Sequence, residues 1–242
     1  MTARFRSWAA THAGAVRTHN EDSFVNRPDI GLWAVADGAG GHEAGEVASG
    51  QIAAVLDSVP SGLSASEMLA QVRLRIADTH ASLRVAAAER GPRAMIASTI
   101  VVLILRDGHF ACLWAGDSRA YRLRGGELTQ ITRDHSLVQE LVDSGAITAE
   151  EAEGHPRANV ITRAVGTDDE TIDLDKVMDR VLPGDRFLLC SDGLSKTLPA
   201  GELRTLLGMP DGVPPPELLI AAALARGVND NVTAVAVETL ST

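Results

Sequence analysis

Aromatic residues make up only 3% of this 242-residue sequence, so its hydrophobic core must be built mainly from Ala, Val, Leu and Ile. Cysteine is also scarce. It occurs only as Cys112 and Cys190, each within an apolar run and neither in a C-x-x-C pair. This pattern argues against a disulfide-stabilised fold and predicts two buried thiols in a reducing compartment.

The sequence also lacks the hydrophobic segments that membrane insertion or export would require. Its longest apolar stretch, near residues 96–105, is too short to span a bilayer, and residues 1–11 contain no apolar core of signal-peptide length. An excess of acidic residues gives a formal net charge of −10, which argues against binding to nucleic acid or to an anionic membrane surface. We therefore expect a cytoplasmic protein.

What the sequence does contain is ordinary for a globular protein, with 45% hydrophobic and 22% charged residues. Helical spacing of apolar residues predicts helices over 44–59 and 64–90, and Ser64 with Glu67 matches a capping box at the start of the second helix. The other predicted helices lie near residues 200–207 and 216–226.

Beta structure is predicted over most of the remaining chain. Asp107-Gly108 and Gly125-Gly126 each separate two short β-like runs, which is a strong signal for β-hairpins and therefore for an antiparallel sheet. Residues 134–166 are polar and irregular, and we interpret them as a flap over the surface. The predicted strands lie around Trp8 and over residues 30–36, 98–105, 109–115, 119–124, 128–132, 171–178, 186–190 and 232–239. Together these elements favour an α+β fold in which sheet packs on sheet, with helices on the outer faces.

The dipeptide Asp-Gly occurs four times, and two of these occurrences are unusual. Those at 107 and 211 are typical of turns. Asp37 and Asp192, in contrast, each end a strongly apolar strand and are each followed by glycine and a helix-like stretch. A carboxylate at the exit of a buried strand is costly unless something neutralises it, and two such carboxylates that converge would repel each other. A divalent cation between them would resolve both problems.

Further acids share this position beside an apolar strand. They are Asp230 before the last strand, Asp117 after the strand that ends at Trp114, and the pair Glu21 and Asp22. Each is also compatible with an ordinary loop or turn role, but together they form a set at strand termini, and we expect none of them to be offset by a neighbouring lysine. Oxygen ligands without a histidine or cysteine pattern favour Mg²⁺ or Mn²⁺ over Zn²⁺. Two such ions about 3.5–4 Å apart are a common device for phosphoryl hydrolysis.

Eight motif-bearing segments follow one another along the chain. They are Gly14–Ser23, Val35–His42, Gly45–Ser49, Gly116–Tyr121, Thr132–Leu137, Ile161–Gly166, Cys190–Leu194 and Asn229–Thr233. In this order they resemble the PPM family of metal-dependent serine/threonine protein phosphatases, the protein phosphatase 2C class, and its compact bacterial members in particular. The resemblance implies a single catalytic domain over residues 1–242, with the flap at 134–166. It also implies a four-layer α-β-β-α sandwich in which helices flank two central antiparallel sheets.

The resemblance further implies a centre of two to three Mn²⁺ or Mg²⁺ ions per chain. Asp37 would bridge two ions, one of which the carbonyl group of Gly38 would also bind. Asp192 and Asp230 would complete the other. A third ion would lie between Asp192 and Asp117, which resembles a site of bacterial members.

Residues beside these ligands receive roles by the same resemblance. Glu21 and Asp22 would hold metal-bound waters, and Arg17 would bind the phosphoryl group of the substrate with its bidentate fork. Many eukaryotic members have a proposed general-acid histidine at the position of Ala39, so the proton donor is not assigned here. A metal-bound water could donate the proton. His42 is a weaker candidate for the acid than that water, and a hydrogen-bonding role at the helix start suits it equally.

The implied activity is the hydrolysis of phosphoserine and phosphothreonine in proteins by an activated water molecule. Such an enzyme would reverse the action of a bacterial serine/threonine kinase. We expect a monomer whose partners are phosphoproteins. Three alternatives compete with it. A small-molecule phosphomonoesterase could use the same scaffold, and a catalytically inactive member could serve as a regulatory binding module. A nucleotide-binding module would fit the glycines at 38–41, but their spacing is not G-x-G-x-x-G and no G-K-[ST] follows.

Overall fold

The computed structural model describes residues 5–40, 44–210 and 212–240, and its β-strands form two antiparallel sheets. The strands are β1 (Phe5–His12), β2 (Asp22–Arg27), β3 (Leu32–Ala39), β4 (Ala97–Ser98), β5 (Ile100–Arg106), β6 (His109–Ala115), β7 (Arg119–Arg124), β8 (Glu127–Gln130), β9 (Asp175–Arg180), β10 (Arg186–Cys190) and β11 (Val232–Thr239). One sheet has the order β1-β11-β10-β7-β8. The other has the order β2-β3-β5-β6-β9, with the short β4 beside β3.

The helices of the described residues lie on the outer faces of the two sheets and, for two short ones, in the flap. They are α1 (Ala44–Asp57), α2 (Ala65–Arg90), α3 (Leu137–Asp143), α4 (Ala149–Glu153), α5 (Asp192–Ser195), α6 (Ala200–Leu207) and α7 (Pro215–Ala225). Helices α1 and α2 pack on the sheet that contains β3, through buried residues such as Ile52 and Met68. Helices α6 and α7 pack on the other sheet, through Leu203 and Leu219.

A third hydrophobic core lies between the two sheets and includes Trp33 and Phe187. Strand β5 shows why its sequence is apolar without interruption. Val101 and Leu103 face the core between the sheets, whereas Val102 and Ile104 face the helices. Three cores separate four layers, so the predicted α+β, α-β-β-α sandwich is confirmed.

Local signals in the sequence account for several element boundaries. The Ser64 hydroxyl accepts from the backbone N–H of Glu67, and the Glu67 carboxylate accepts from the backbone of Ser64, so α2 begins with the predicted capping box. Asp107 has a φ of 49° and Gly108 a φ of 72°, as the tight β5–β6 hairpin requires. Both predicted hairpins are present.

Two strand predictions need correction. Strand β2 was not predicted, because its apolar residues Phe24 and Val25 are adjacent rather than alternating. Strand β9 begins at Asp175 instead of 171, because Ile172 and Leu174 belong to the core under the helices and not to the sheet.

Within the described residues, no helix is both long and apolar enough to cross a lipid bilayer.

Candidate metal centre

The predicted acids lie where strands of both sheets begin or end, at one end of the sandwich. Asp22 and Asp37 are directly opposite each other in the paired strands β2 and β3. Asp192 follows β10, and Asp230 precedes its antiparallel neighbour β11 in the other sheet. Asp117 lies in the connection from β6 to β7, which leads from one sheet to the other. The fold thus brings together acids that are up to 209 positions apart in the sequence.

Hydroxyl groups fix the two sheets to each other at this end. The Ser191 hydroxyl donates to Asp22 Oδ2 over 2.7 Å and accepts from the backbone N–H of Thr233 over 3.0 Å. The hydroxyl oxygens of Thr99 and Ser118 are 2.7 Å apart. The Ser191–Asp22 bond links the end of β10 in one sheet to β2 in the other, and the Thr99–Ser118 contact links the segment before β5 to the segment before β7.

Helix α1 approaches the strand end that bears Asp37 very closely. A Cβ atom on Gly38 would overlap the carbonyl group of Gly45, and one on Gly45 would lie 2.8 Å from Glu21 Oε2. The Ser49 hydroxyl of the same helix donates to the backbone carbonyl of Glu21 over 2.5 Å. Glycine at 38 and 45 therefore allows the helix, the strand end and Glu21 to pack directly against one another.

Asn231 holds the N-terminal loop against the start of β11. Its side-chain oxygen accepts from the backbone N–H of Glu21 over 2.8 Å, and its side-chain nitrogen donates to the carbonyls of Ala13 and His19 over 3.0 and 2.8 Å. The sequence motif around Asp230 contained this asparagine, but nothing local indicated its partners. It is a positioning residue that sequence reasoning missed.

Arg17 extends from this loop to the rim of the centre. Its Nη2 donates to Asp230 Oδ2 over 3.0 Å, and more than half of the Arg17 side chain is exposed. The pKa of Arg17 is raised, first by its hydrogen bond to Asp230 and further by the negative charges of Asp230, Glu21 and Asp192. The guanidinium thus lies in a strongly negative field while it remains accessible from solvent.

Lys196 lies between two of the predicted acids. Its Nζ is 2.6 Å from Asp192 Oδ2, 3.1 Å from Asp117 Oδ2 and 3.0 Å from Asn159 Oδ1. Burial lowers the pKa of Lys196, but attraction to Asp192 and Asp117 outweighs this and raises it overall. The expectation that no neighbouring lysine offsets these acids is therefore wrong. Lys196 is one turn of helix beyond Asp192, and this i,i+4 spacing was the signal that could have revealed it.

The pKa values of the clustered aspartates are raised, because burial and mutual repulsion disfavour several ionised carboxylates in one place. Burial, together with the charges of Asp22, Asp192 and Asp117, raises the pKa of Asp37 well above its usual value. Burial also raises the pKa of Asp22 to about 7 and that of Asp117 to about 6, with Asp192 adding to both shifts. Oxygen Oδ1 of Asp22 and of Asp117 is buried without a hydrogen-bond partner. Unpartnered, buried carboxylate oxygens are what a hard cation such as Mg²⁺ or Mn²⁺ would bind, so these residues fit such an ion.

The carboxylates are gathered, but they are not already arranged around a single point. In the described parts of the chain, no three His, Cys, Asp or Glu side chains form a ready-made metal site. Contacts with protein groups explain this, since Ser191 holds one oxygen of Asp22 and Lys196 holds oxygens of Asp117 and Asp192. Small side-chain rotations would be needed to place several oxygens on one ion.

The structure brings together seven of the nine predicted site residues as side chains: Arg17, Glu21, Asp22, Asp37, Asp117, Asp192 and Asp230. Gly38 lies beside Asp37 through its backbone, with its N–H donating to the carbonyl of Glu21 over 3.1 Å. His42 lies outside the described residues. The metal-binding and catalytic roles of all nine remain predictions.

His135, at the start of the flap, is held by contacts on both nitrogens and on the face of its ring. Its ring stacks on Trp114 with centroids 6.1 Å apart, and its Nδ1 accepts from the backbone N–H of Gly116 over 3.2 Å. Its Nε2 is 3.3 Å from Asp175 Oδ2 and 3.2 Å from Arg163. These contacts anchor the start of the flap to the sheet.

Comparison with known families decides which family this geometry represents. The profile of the family described as protein phosphatase 2C matches residues 11–210. The chain belongs to the protein phosphatase 2C family. The predicted family resemblance is confirmed.

Curated relatives within this class carry phosphatase names. The chain is 37% identical over 235 residues to the serine/threonine protein phosphatase PstP of Mycobacterium tuberculosis, covering 97% of this chain and 45% of that protein. The present chain thus spans about half the length of that relative. It is 33% identical over 246 residues to the serine/threonine phosphatase Stp of Listeria welshimeri, covering 98% of this chain and 96% of that protein.

Solved structures share the fold. PppA, described as a key regulatory component of T6SS in Pseudomonas aeruginosa, is 44% identical, with a TM-score of 0.89 and 98% of both chains covered. The catalytic domain of PstP in complex with two manganese ions is 36% identical, with a TM-score of 0.84 over 99% of this chain and 100% of that domain. These structures are similar to the present protein phosphatase 2C member throughout its length.

Proposed function

We propose that this protein hydrolyses phosphoserine and phosphothreonine in proteins at a centre of Mn²⁺ or Mg²⁺ ions. One observation carries the proposal: the carboxyl groups of Asp22, Asp37, Asp117 and Asp192 converge at one end of the sandwich with a single lysine among them. Their mutual repulsion and burial require additional positive charge. The names of the relatives PstP and Stp support this class of substrate.

The positions of the acids support one assignment of the ligands. Asp37 is central, because the negative charges of Asp22, Asp192 and Asp117 all raise its pKa. We assign Asp37, the Gly38 carbonyl, Asp192 and Asp230 to direct binding of the ions, while Glu21 and Asp22 would orient water beside them. When bound, two such ions would activate a water molecule as nucleophile and neutralise phosphoryl oxygens.

Arg17 is suited to bind the phosphoryl group. Its guanidinium donates to Asp230 through Nη2 and so lies beside a predicted ligand, and more than half of the side chain remains accessible. A planar fork can donate two parallel hydrogen bonds to a phosphate. Asp230 would therefore orient Arg17 as well as bind a cation.

We propose that the chain acts as a single catalytic domain and as a monomer, with residues 134–166 as the flap that meets the phosphoprotein. Its partners would be phosphoproteins in the cytoplasm and, through them, a serine/threonine kinase. The acidic net charge of −10 supports a preference for protein substrates over nucleic acid.

Turnover of a phosphothreonine peptide by metal-free protein, before and after addition of Mn²⁺ or Mg²⁺, tests the proposal. Phosphate release should require the added ion, should be abolished by EDTA and should be insensitive to thiol alkylation. Full activity after exhaustive chelation would contradict the metal mechanism. Faster turnover of sugar phosphates than of the peptide would instead favour the small-molecule phosphatase.

A further inference from the structure

Lys196 is one of only two lysines in the sequence, which otherwise relies on arginine for positive charge. It directly follows α5, so the first residue of that helix, Asp192, fixes its position. Its ammonium group contacts Asp192, Asp117 and the flap residue Asn159 within 3.1 Å. A single positive charge therefore joins three segments that are distant in sequence.

Asp117 needs a positive charge at this point. Its side chain is only 3% exposed, its Oδ1 has no hydrogen-bond partner, and its Oδ2 is bound by Lys196. An ionised carboxylate that is removed from water is strongly unfavourable unless a cation compensates it. The lysine supplies that cation from within the chain.

We propose that the Lys196 ammonium is a built-in cation, which takes the position between Asp117 and Asp192 that a further divalent ion would otherwise occupy. The chain should then hold one ion fewer than it would with a neutral residue at 196. The inference rests on the proposed function, because it assumes that Asp37, Asp192 and Asp230 hold the other ions. It also revises the predicted two to three ions toward the lower number.

This arrangement has a consequence for metal dependence. A divalent ion at this position would bind and leave with the metal concentration, whereas the lysine is always present. The link from Asn159 to Asp117 and Asp192 therefore persists in the absence of that ion. The flap is held to the centre by a side chain that needs no metal.

Counting the Mn²⁺ ions bound by metal-free protein, from the electron paramagnetic resonance signal of free Mn²⁺, tests the proposal. Lys196→Met has similar length but no charge and no oxygen, and it should bind one more ion per chain than the wild type. Lys196→Arg keeps the charge and should bind the wild-type number. Lys176→Met changes the other lysine, which is exposed on β9, and should also leave the number unchanged. Equal numbers in wild type and Lys196→Met would overturn the proposal.

A second measurement needs no substitution and so does not depend on how a variant folds. Protein labelled with ¹³C at the lysine ε-carbon gives one signal for Lys176 and one for Lys196. At saturating Mg²⁺, the Lys196 signal should stay distinct from that of the exposed lysine. Convergence of the two signals would show that an ion displaces the ammonium and would overturn the proposal. A wild-type chain that binds no Mn²⁺ at all would overturn the proposed function as well.

Discussion

At the scale of the residue, neutral hydroxyl and amide groups hold one part of the acidic cluster, and two cationic side chains, Lys196 and Arg17, pair with the rest. Ser191 supports Asp22, Asn231 supports the backbone of Glu21, and only Lys196 brings a positive charge between Asp117 and Asp192. Neutral partners position a carboxylate without cancelling its charge. The acids therefore remain able to bind a cation.

Asp37→Asn and Asp192→Asn should each lower kcat/KM for a phosphothreonine peptide by roughly 1,000-fold, because each removes a charged ligand worth several kcal/mol in the transition state. Asp107→Asn is the matched control, since that Asp-Gly pair only forms an exposed hairpin turn. Steady-state kinetics at saturating Mn²⁺ measure the effect. Wild-type turnover in both centre variants would remove these residues from the site.

The stability of the metal-free protein should fall as the pH rises, because the pKa of Asp22 is about 7 in the fold, against an ordinary value of 3.8. Between these two pH values, the folded chain keeps a proton that the unfolded chain has released. The contribution of Asp22 to the free energy of unfolding therefore decreases with pH over this range and is constant above it. Asp22→Asn removes the effect, so it should raise the melting temperature in EDTA by roughly 5 °C at pH 8.

The same substitution should change little near pH 4, where the Asp22 carboxyl group is neutral in the fold. Thermal unfolding of both proteins in EDTA at several pH values measures the difference. A difference in melting temperature that is the same at every pH would show that burial of this charge is not its cause.

What sequence could predict at this scale was the acids themselves, because a carboxylate after a buried strand is conspicuous. Asp37 and Asp192 were recognisable in this way. The supporting roles of Asn231 and Ser191 were not recognisable, since Glu21 and Asp22 lie more than 150 positions away from them and nothing local signals such contacts. The i,i+4 spacing of Asp192 and Lys196 places them on one helical face, but the residues after Asp192 predict only a helix-like stretch of undefined length.

At the scale of the element, the centre depends on helices and strand ends that approach without side chains between them. Helix α1 meets β3 at Gly45 and Gly38, and α5 meets the start of β11 at Gly193. Such contacts fix where the acids at these ends lie. A strand end that moved by one side-chain width would separate the ligands.

Gly193→Ala should destabilise the protein by about 1–3 kcal/mol, because the new methyl group would overlap the backbone carbonyl of Asn231 and must displace it. It should also lower activity, since Asp192 and Asp230 flank this contact. Gly50→Ala in α1 is the matched control, because nothing lies within 4 Å of the position of its Cβ atom. In Gly50→Ala, the higher helix propensity of alanine should increase the free energy of unfolding by about 0.5–1 kcal/mol. Denaturant unfolding distinguishes the two, and equal effects would refute the close packing.

Asn159→Ala should loosen the flap without changing the metal centre, because it removes only the flap partner of Lys196. Backbone amides near residues 155–161 should exchange with solvent roughly two- to fivefold faster, as expected for one exposed hydrogen bond. Arg157→Ala, two positions away, is the control. Unchanged exchange in Asn159→Ala would show that this contact does not hold the flap.

At the scale of the whole molecule, the four layers follow from hydrophobic patterns that are legible in the sequence. The uninterrupted apolar run of β5 and the amphipathic spacing of α2 place those elements inside and outside the sandwich. The strand order could not be predicted in the same way. Pairing of β1 with β11 joins the two ends of the described chain, and such pairing depends on long-range contacts that local patterns do not encode.

The joining of chain ends also completes the centre. Loop residues near Arg17 and the start of β11 at Asp230 come together only when β1 and β11 are paired. The proposed metal centre therefore depends on the complete sandwich, and we expect ion binding to raise the stability of the whole fold.

Anomalous diffraction from a crystal grown with Mn²⁺ tests the central claim most directly. We predict manganese peaks within binding distance of Asp37, the Gly38 carbonyl, Asp192 and Asp230, at the end of the sandwich where both sheets meet. The absence of a peak there, with the carboxylates of Asp37, Asp192 and Asp230 directed away from one another, would contradict the account.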